Sequence, residues 1–174
     1  MHTLQRSIRD VPDFPKKGIV FKDITTLLGD SSAFHSAVDF LADKYRGAGI
    51  DKVVCVESRG FIVGAALAYR LGVGFVPIRK KGKLPAATVR EEYTLEYGTD
   101  TMEIHADALK PKEKVLLHDD LLATGGTMAA ACRLVEKLGA TIAGIAFLIE
   151  LRFLKGRNRI GQYDVYSIIE YDSE

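Results

Sequence analysis

Short, continuous apolar runs alternate along this sequence with segments whose apolar residues recur three and four positions apart. Continuous runs are typical of strands covered on both faces. They predict strands at 52–56, 74–78, 115–120, 140–149 and 164–170. The recurring spacing predicts helices after Ser31 and Ser32, which are candidate N-caps, after 57–60 and after 119–127. This alternation predicts one α/β domain over residues 1–174, with a central parallel sheet flanked by helices.

Two segments depart from this alternation. Within residues 1–29, prolines and glycines between positions 12 and 18 predict a surface arm. Residues 86–105 alternate apolar and polar side chains on either side of Gly98. This pattern predicts a half-exposed hairpin with few core contacts, inserted between two core strands. We therefore expect the loop and hairpin over 79–105 to be mobile without ligand and to close over bound substrates.

Composition narrows the class of protein without identifying it. Apolar residues make up 47% of the 174 residues and charged residues 27%, which are ordinary values for a globular chain. The net charge of +1 argues against a nucleic-acid partner. Cys55 and Cys132 cannot form a disulfide framework, so a cytoplasmic location is the simplest expectation. The longest apolar-leaning run, 140–149, is too short to span a bilayer, so no membrane partner is expected.

The strongest chemical signal is the segment 119–127, which joins a predicted strand to a predicted helix. Its adjacent glycines let consecutive backbone N–H groups converge, and the helix N-terminus adds partial positive charge, so the segment suits a phosphate. The acidic pair Asp119–Asp120 would repel a phosphate, but carboxylates also accept hydrogen bonds from a vicinal diol. A ribose 5-phosphate carries both groups. The fingerprints of dinucleotide and P-loop sites are absent from the sequence.

At this point the sequence resembles the phosphoribosyltransferase family. Residues 115–127 are similar to that family's signature for phosphoribosyl pyrophosphate. Further segments resemble, in order, those of the family's adenine-specific branch: Pro12–Pro15, Gly18–Ile24, Glu57–Phe61, Arg79–Pro85, Tyr93–Gly98 and Leu154–Arg157. The resemblance covers nearly the whole chain. It implies a type I phosphoribosyltransferase-like fold with an inserted flexible hairpin, and a small hood over residues 1–29 that contributes the base pocket.

The resemblance implies an enzyme of purine salvage that transfers a 5-phosphoribosyl group from phosphoribosyl pyrophosphate to adenine, giving AMP and pyrophosphate. The cations available for the pyrophosphate are Arg59, Arg79, Lys80 and Lys83. The other implied substrate-binding residues are Asp119, Asp120, Ala123, Thr124, Gly125, Gly126 and Thr127. Mg²⁺ is implied as a cofactor that the substrate's own oxygens carry, with no direct protein ligand. A homodimer is implied as well.

Recognition of the base involves other residues. Relatives that use 6-oxopurines carry a carboxylate just before the Thr-Gly of the phosphate loop, where this chain has Ala123. By resemblance, Glu96 in the hairpin is the catalytic group that exchanges a proton with the purine, and Arg59 is catalytic at the pyrophosphate. The implied base pocket consists of Phe21 stacking on the ring, the backbone of Val20 and Lys22 reading its edge, and Leu151 closing the other face.

Two alternatives stay open at this stage. One is the same enzyme class acting on another purine base, against which Ala123 argues. The other is a regulator that senses phosphoribosyl pyrophosphate and binds nucleic acid, against which the net charge argues.

One residue departs from the family pattern. His118 stands where the family usually has an apolar residue, just before the acidic pair. Strand alternation predicts that it shares a face with Leu116 and Asp120. We expect a half-buried histidine whose titration a neighbouring carboxylate perturbs.

Overall fold

The helices and strands follow the apolar pattern of the sequence. The computed structural model describes residues 2–95 and 98–173 of the chain. The strands are β1 (Arg9–Pro12), β2 (Val20–Asp23), β3 (Lys52–Val56), β4 (Gly74–Lys80), β5 (Thr88–Leu95), β6 (Gly98–His105), β7 (Lys114–Leu122), β8 (Thr141–Leu151) and β9 (Val165–Tyr171). The helices are α1 (His2–Gln5), α2 (Thr25–Gly29), α3 (Ser31–Tyr45), α4 (Gly60–Leu71) and α5 (Gly126–Lys137), and two short 3-10 helices, η1 (Arg152–Leu154) and η2 (Gly156–Arg159), follow β8. Of the helices in these residues, none is long and apolar enough to cross a membrane.

The main sheet has seven strands in the order β5-β6-β4-β3-β7-β8-β9. The strands β4, β3, β7, β8 and β9 are parallel, which confirms the prediction from the continuous apolar runs. Val53 of β3 lies opposite Phe75 of β4 on one side and Leu116 of β7 on the other. Because these neighbours run in one direction and in register, the loops that follow β3, β4 and β7 emerge at one edge of the sheet.

The core is divided between the two faces of the sheet. Successive residues of a strand point to opposite faces. Leu116 therefore packs in the cluster that includes α3 and α4, whereas Leu117 packs in the cluster that includes α5. The helix predicted after 119–127 is confirmed as α5, whose Met128, Ala131, Cys132 and Val135 are buried.

The N-cap of α3 is one residue earlier than predicted. The Oδ1 atom of Asp30 accepts a hydrogen bond from the backbone N–H of Ala33 at 2.8 Å, so Asp30 caps the helix and Ser31 begins it. Asp, Ser and Thr are all good N-caps, so composition alone did not distinguish Asp30 from Ser31 and Ser32.

The N-terminal arm contains a two-stranded antiparallel sheet, β1 and β2, which the sequence pattern did not predict. Arg9 donates to Oδ2 of Asp23 from Nε at 3.0 Å and from Nη2 at 2.6 Å, and so joins the ends of the two strands. The Nζ of Lys22 lies 2.9 Å from Oδ1 of Asp10 and 4.2 Å from the centre of the Tyr171 ring. Since Tyr171 ends β9, this contact holds the arm against the main domain.

The predicted hairpin is confirmed as the antiparallel pair β5 and β6, but the expectation of few core contacts is wrong. Strand β6 pairs with the end of β4, with Arg79 opposite Glu103. Met102 and Ile104 of β6 are buried in the core. These two side chains occupy alternate positions of β6, so the inner face of that strand is fully covered and not half-exposed. The mobility of the hairpin stays a prediction.

We expect Asp30→Ala to lower the free energy of unfolding by about 1 kcal/mol, because it removes the side-chain acceptor that caps α3. For a chain of this size that corresponds to a fall in Tm of about 2–4 °C. Thermal unfolding of Asp30→Ala beside Asp30→Asn measures the effect, since asparagine keeps the acceptor oxygen. Equal losses in the two variants would contradict the capping role.

Candidate active site

The ends of β3, β4 and β7, with the loops that follow β3 and β7, enclose a cavity of about 430 Å³ at the carboxyl edge of the sheet. Its lining comprises Val56, Glu57, Ser58, Arg59, Ile78, Arg79, Lys80, Tyr93, Met102, Phe147 and residues 119–128. Ligands of open parallel sheets bind at this edge. The structure therefore brings together Arg59, Arg79 and Lys80 and the whole predicted phosphate loop, including Ala123, Thr124, Gly125, Gly126 and Thr127.

The phosphate loop is a tight turn between β7 and α5. Gly125 has φ +80°, a left-handed conformation that other L-residues rarely adopt, and it directly precedes the first residue of α5. A Cβ at Gly125 would overlap the carbonyl oxygen of Gly156. The loop thus presents the free N–H groups at the start of a 12-residue helix to the cavity, which favours an anion there.

The acidic pair lies at the end of β7, beside the start of α4. Nε of Arg59 is 2.9 Å from Oδ2 of Asp120, and the backbone N–H of Asp120 donates to Oδ1 of Asp119 at 2.8 Å. Burial, together with the charge of Asp120, raises the pKa of Asp119 well above its usual range. Burial also raises the pKa of Asp120, while the charge of Arg59 opposes that rise. The structure thus holds two adjacent carboxylates in a place that disfavours their charge.

The basic loop, residues 79–83, begins with the last two residues of β4, which is two residues longer than predicted, and it is held by the carboxylate of Glu57. Oε2 of Glu57 accepts hydrogen bonds from Nε and Nη2 of Arg79, both at 3.1 Å, and Oε1 accepts one from the backbone N–H of Lys80. Lys83 stands outside the cavity lining, with its Nζ 3.9 Å from the same Oε2. Val56 pairs with Ile78, so the next residues along each strand, Glu57 and Arg79, become neighbours.

A second ion pair joins Lys80 to Asp100 of the hairpin. The Nζ of Lys80 is 3.2 Å from Oδ2 of Asp100, which also accepts a hydrogen bond from the hydroxyl of Tyr93 at 3.1 Å. The cations of the basic loop are therefore balanced by carboxylates of the chain itself. The predicted catalytic Glu96 follows β5 directly and lies outside the described residues.

The predicted base-binding residues do not line this cavity. Phe21 is connected to it through Arg59, whose guanidinium carbon lies 5.0 Å from the centre of the Phe21 ring. Phe14 packs edge-on against Phe21, with ring centres 5.1 Å apart. The side chain of Lys22 is turned toward Asp10 and Tyr171, so only its backbone is free for the predicted role. Val20, Phe21, Lys22 and Leu151 are absent from the lining of the cavity.

His118 is fully buried, which corrects the expectation of a half-buried side chain. Its Nδ1 is 3.0 Å from the carbonyl oxygen of Ala146, and its ring packs under Gly64 of α4. Burial lowers its pKa to about 4, and the contact with Ala146 partly opposes this. The cause is therefore burial and not a neighbouring carboxylate, because the ring lies beneath the edge of the sheet and the acidic pair lies at it.

A family model for the "Phosphoribosyl transferase domain" matches residues 26–173. The chain is 58% identical over 171 residues to the adenine phosphoribosyltransferase of Syntrophotalea carbinolica, which covers 98% of this chain and 100% of that protein. The crystal structure of adenine phosphoribosyltransferase from Thermoanaerobacter pseudethanolicus matches with a TM-score of 0.95 and 53% identity, over 98% of this chain and 99% of that one. The enzyme from Trypanosoma brucei, solved with AMP, pyrophosphate and ribose-5-phosphate, has a TM-score of 0.89 and 28% identity, over 97% of this chain and 78% of that one.

The fold, the phosphate loop and the acidic pair agree with these matches, and the protein is a type I phosphoribosyltransferase. The family model begins only at residue 26, whereas the relative from Syntrophotalea carbinolica covers nearly the whole chain. The match to that relative therefore includes most of the arm, which the family model leaves out. The chain belongs to the adenine phosphoribosyltransferase family.

We expect Asp119→Asn to lose most turnover and to stabilise the fold. Asparagine keeps the oxygen that accepts from the N–H of Asp120 but removes a buried charge. A pKa raised in the folded state means that the stability contributed by this group is present at low pH and lost as pH rises through that pKa. At pH 7 the variant should therefore have a larger free energy of unfolding and a higher Tm than wild type, because it no longer carries the buried charge.

Thermal unfolding of both proteins between roughly pH 5 and pH 8, with turnover measured at pH 7, tests this prediction. The stability difference should widen as pH rises. A variant that is less stable than wild type, or one that keeps full turnover, would contradict the account of the acidic pair.

Proposed function

We propose that this chain is an enzyme of purine salvage that transfers the 5-phosphoribosyl group of phosphoribosyl pyrophosphate to adenine, releasing pyrophosphate and AMP. The observation that carries the proposal is the single cavity in which a phosphate loop, an acidic pair and a basic loop face one another. A ribose with a phosphate at one end and a pyrophosphate at the other matches this order of groups. The relatives over the full chain are named for this reaction with adenine.

The phosphate loop and the acidic pair hold the phosphoribosyl group. The backbone N–H groups of 124–127 and the hydroxyls of Thr124 and Thr127 donate to the 5′-phosphate, with the positive end of α5 behind them. Asp119 and Asp120 accept hydrogen bonds from the two ribose hydroxyls. The diol adds hydrogen-bond donors to those that the N–H of Asp120 and the guanidinium of Arg59 already supply.

The basic loop and Arg59 hold the leaving pyrophosphate. Arg59 and Arg79 bind it through planar guanidinium groups, and Lys80 and Lys83 act as point charges. Pyrophosphate takes over donors that Glu57 and Asp100 occupy in the ligand-free protein. Mg²⁺ would be carried by oxygens of the substrate and would stabilise the negative charge of the leaving pyrophosphate, with no direct protein ligand. Among the described residues, no group of three or more His, Cys, Asp or Glu side chains is arranged to hold a metal.

The reaction breaks the bond from the anomeric carbon to pyrophosphate and forms a bond from that carbon to a ring nitrogen of adenine, whose proton leaves. Positive charge develops on the ribose in the transition state. The carboxylates of Asp119 and Asp120 stabilise the positive charge on the ribose. The cations of the pyrophosphate site stabilise the negative charge of the leaving group. Glu96 exchanges the proton with the purine, because Ala123 carries no titratable group at the place used by enzymes of 6-oxopurines.

The hood supplies the adenine pocket. Arg59 contacts both Asp120 and the Phe21 ring, which supports a base position between the hood and the cavity. Phe21 stacks on adenine, the backbone of Val20 and Lys22 reads its edge, and Leu151 closes the opposite face. Closure of the loop and hairpin over 79–105 then excludes water from the cation-like centre.

We further propose a homodimer in the cytoplasm. Ile62 and Tyr69 stand two helical turns apart on α4 and are 45% and 89% exposed, which supports a contact surface on that helix. Cys55 and Cys132 are free and buried, as suits a reducing compartment. Sedimentation should give a particle of twice 19.1 kDa, and a monomer over the micromolar range would contradict the dimer.

The substrate assignment is tested with a panel of adenine, hypoxanthine, guanine and xanthine, each with phosphoribosyl pyrophosphate and Mg²⁺. We expect kcat/KM for adenine to exceed that for the oxopurines by roughly 10²-fold or more, because their 6-oxo group reverses the hydrogen-bonding pattern that the hood presents. Comparable rates with hypoxanthine would favour the alternative purine enzyme. Absence of turnover together with salt-sensitive binding of DNA or RNA would favour the regulator.

The role of Glu96 is tested by Glu96→Gln, which keeps the shape of the side chain and removes proton exchange. A positioned general acid or base contributes about 10²–10⁴-fold, so kcat should fall on that scale while the KM for phosphoribosyl pyrophosphate changes little. Glu92→Gln is the matched control, because Glu92 is an exposed residue of β5, the strand that precedes Glu96 in the sequence. Glu91 is less suitable, since it pairs with Arg133 at 2.9 Å and Lys137 at 2.6 Å. If both variants behave alike, another group moves the proton.

A further inference from the structure

The outer wall of the phosphate loop is a backbone segment from a distant part of the chain. Gly156, at the start of η2, is in such close contact that a Cβ on Gly125 would overlap its carbonyl oxygen. A Cβ on Gly156 would in turn overlap the carbonyl oxygen of Ala123. Neither contact leaves room for a side chain. The position of Gly156 therefore limits where the backbone of 123–125 can lie as it leads into α5.

Arg157 fixes the turn that contains Gly156. Its Nε and Nη2 donate to the two carboxylate oxygens of Glu150 at 2.7 and 2.6 Å, and its Nη1 donates to the carbonyl oxygen of Val165 at 2.8 Å. This planar, two-point contact restrains direction as well as distance. The residue that follows Gly156 is thus tied to both β8 and β9.

Glu150 is itself held rigidly. It is 3% exposed, it lies opposite Leu122 in the parallel register of β7 and β8, and it accepts a further hydrogen bond from Oγ of Ser167 at 2.8 Å. Burial opposes its ionisation, but the hydrogen bonds of Arg157 and Ser167 outweigh that and hold the pKa of Glu150 below its usual value. The contact is therefore a charged pair near neutral pH, anchored beside the last residue of β7 before the phosphate loop.

We propose that Glu150 and Arg157 are positioning residues, which act through Gly156 to hold the loop 123–127 in the shape that binds the substrate's phosphate. The inference rests on the proposed function, which gives that loop the 5′-phosphate. Neither side chain lines the cavity, so their effect is carried by backbone contact. A displacement of about 1 Å in such a binding element is enough to cost about 10²-fold.

The test compares AMP with adenosine, which lacks only the phosphate. Arg157→Lys keeps the positive charge but loses the two-point contact. We expect the Kd of AMP to rise about tenfold or more in this variant, and the KM for phosphoribosyl pyrophosphate to rise as well. The Kd of adenosine should change less than about twofold. Titration calorimetry on the full chain, backed by competition against turnover, gives both constants.

Further variants separate a local effect on the phosphate loop from a general loss of stability. Gly156→Ala should produce the same selective loss of AMP, because its Cβ meets Ala123 directly. Arg70→Lys is the matched control, since Arg70 pairs with Asp39 at 2.7 Å at the far end of α4 and should leave AMP binding unchanged. If Arg157→Lys does not fold, Ser167→Ala removes only one hydrogen bond to Glu150 and carries the comparison.

The outcomes separate this inference from the function on which it rests. Equal loss of AMP and adenosine binding in Arg157→Lys, or unchanged AMP binding, overturns the positioning role while leaving the enzyme assignment intact. A wild-type protein that binds AMP no more tightly than adenosine overturns both. Selective loss of AMP in Arg157→Lys and Gly156→Ala, but not in Arg70→Lys, supports the proposal.

Discussion

The parallel register of β3, β4 and β7 is the constraint on which the site depends. Because Val53 lies level with both Phe75 and Leu116, the three strands end together and deliver their loops to one edge. Side chains that are far apart in sequence thus converge on one cavity. Arg59 caps the helix that follows β3, Arg79 and Lys80 end β4, and the acidic pair lies near the end of β7. Burial of the apolar runs on both faces of the sheet holds this register. The packing that forms the core therefore also fixes the position of the site.

Charge in the ligand-free cavity is balanced internally. Arg59 faces Asp120, Arg79 faces Glu57, and Lys80 faces Asp100. Such pairs keep the donors ordered, so that less side-chain entropy is lost when a substrate replaces the carboxylates. The charges of the acidic pair are not fully compensated in this way, because burial raises the pKa of both carboxyls. A protein that keeps two adjacent carboxylates there gives up stability, and a ligand with a diol restores the missing hydrogen bonds.

Much of this arrangement could be predicted from the sequence, and the exceptions have physical reasons. The five parallel strands, α5 and the phosphate loop followed from apolar runs and adjacent glycines, which are local signals. The contacts of Glu57, Glu150 and Arg157 could not be found that way, since each depends on which strands become neighbours. The same holds for the depth of His118, because full burial requires α4 to cover β7. The two-stranded sheet of the arm was not predicted, because its strands, joined by Arg9 and Asp23, are too short to show an alternating pattern.

The most direct test of the central claim is a crystal structure of the full chain with AMP. The account predicts the 5′-phosphate oxygens within about 2.7–3.2 Å of the backbone nitrogens of 124–127. It also predicts the ribose hydroxyls on Asp119 and Asp120, and the adenine ring against Phe21. A phosphate seated instead on the basic loop, or a ribose that makes no contact with the acidic pair, would contradict it.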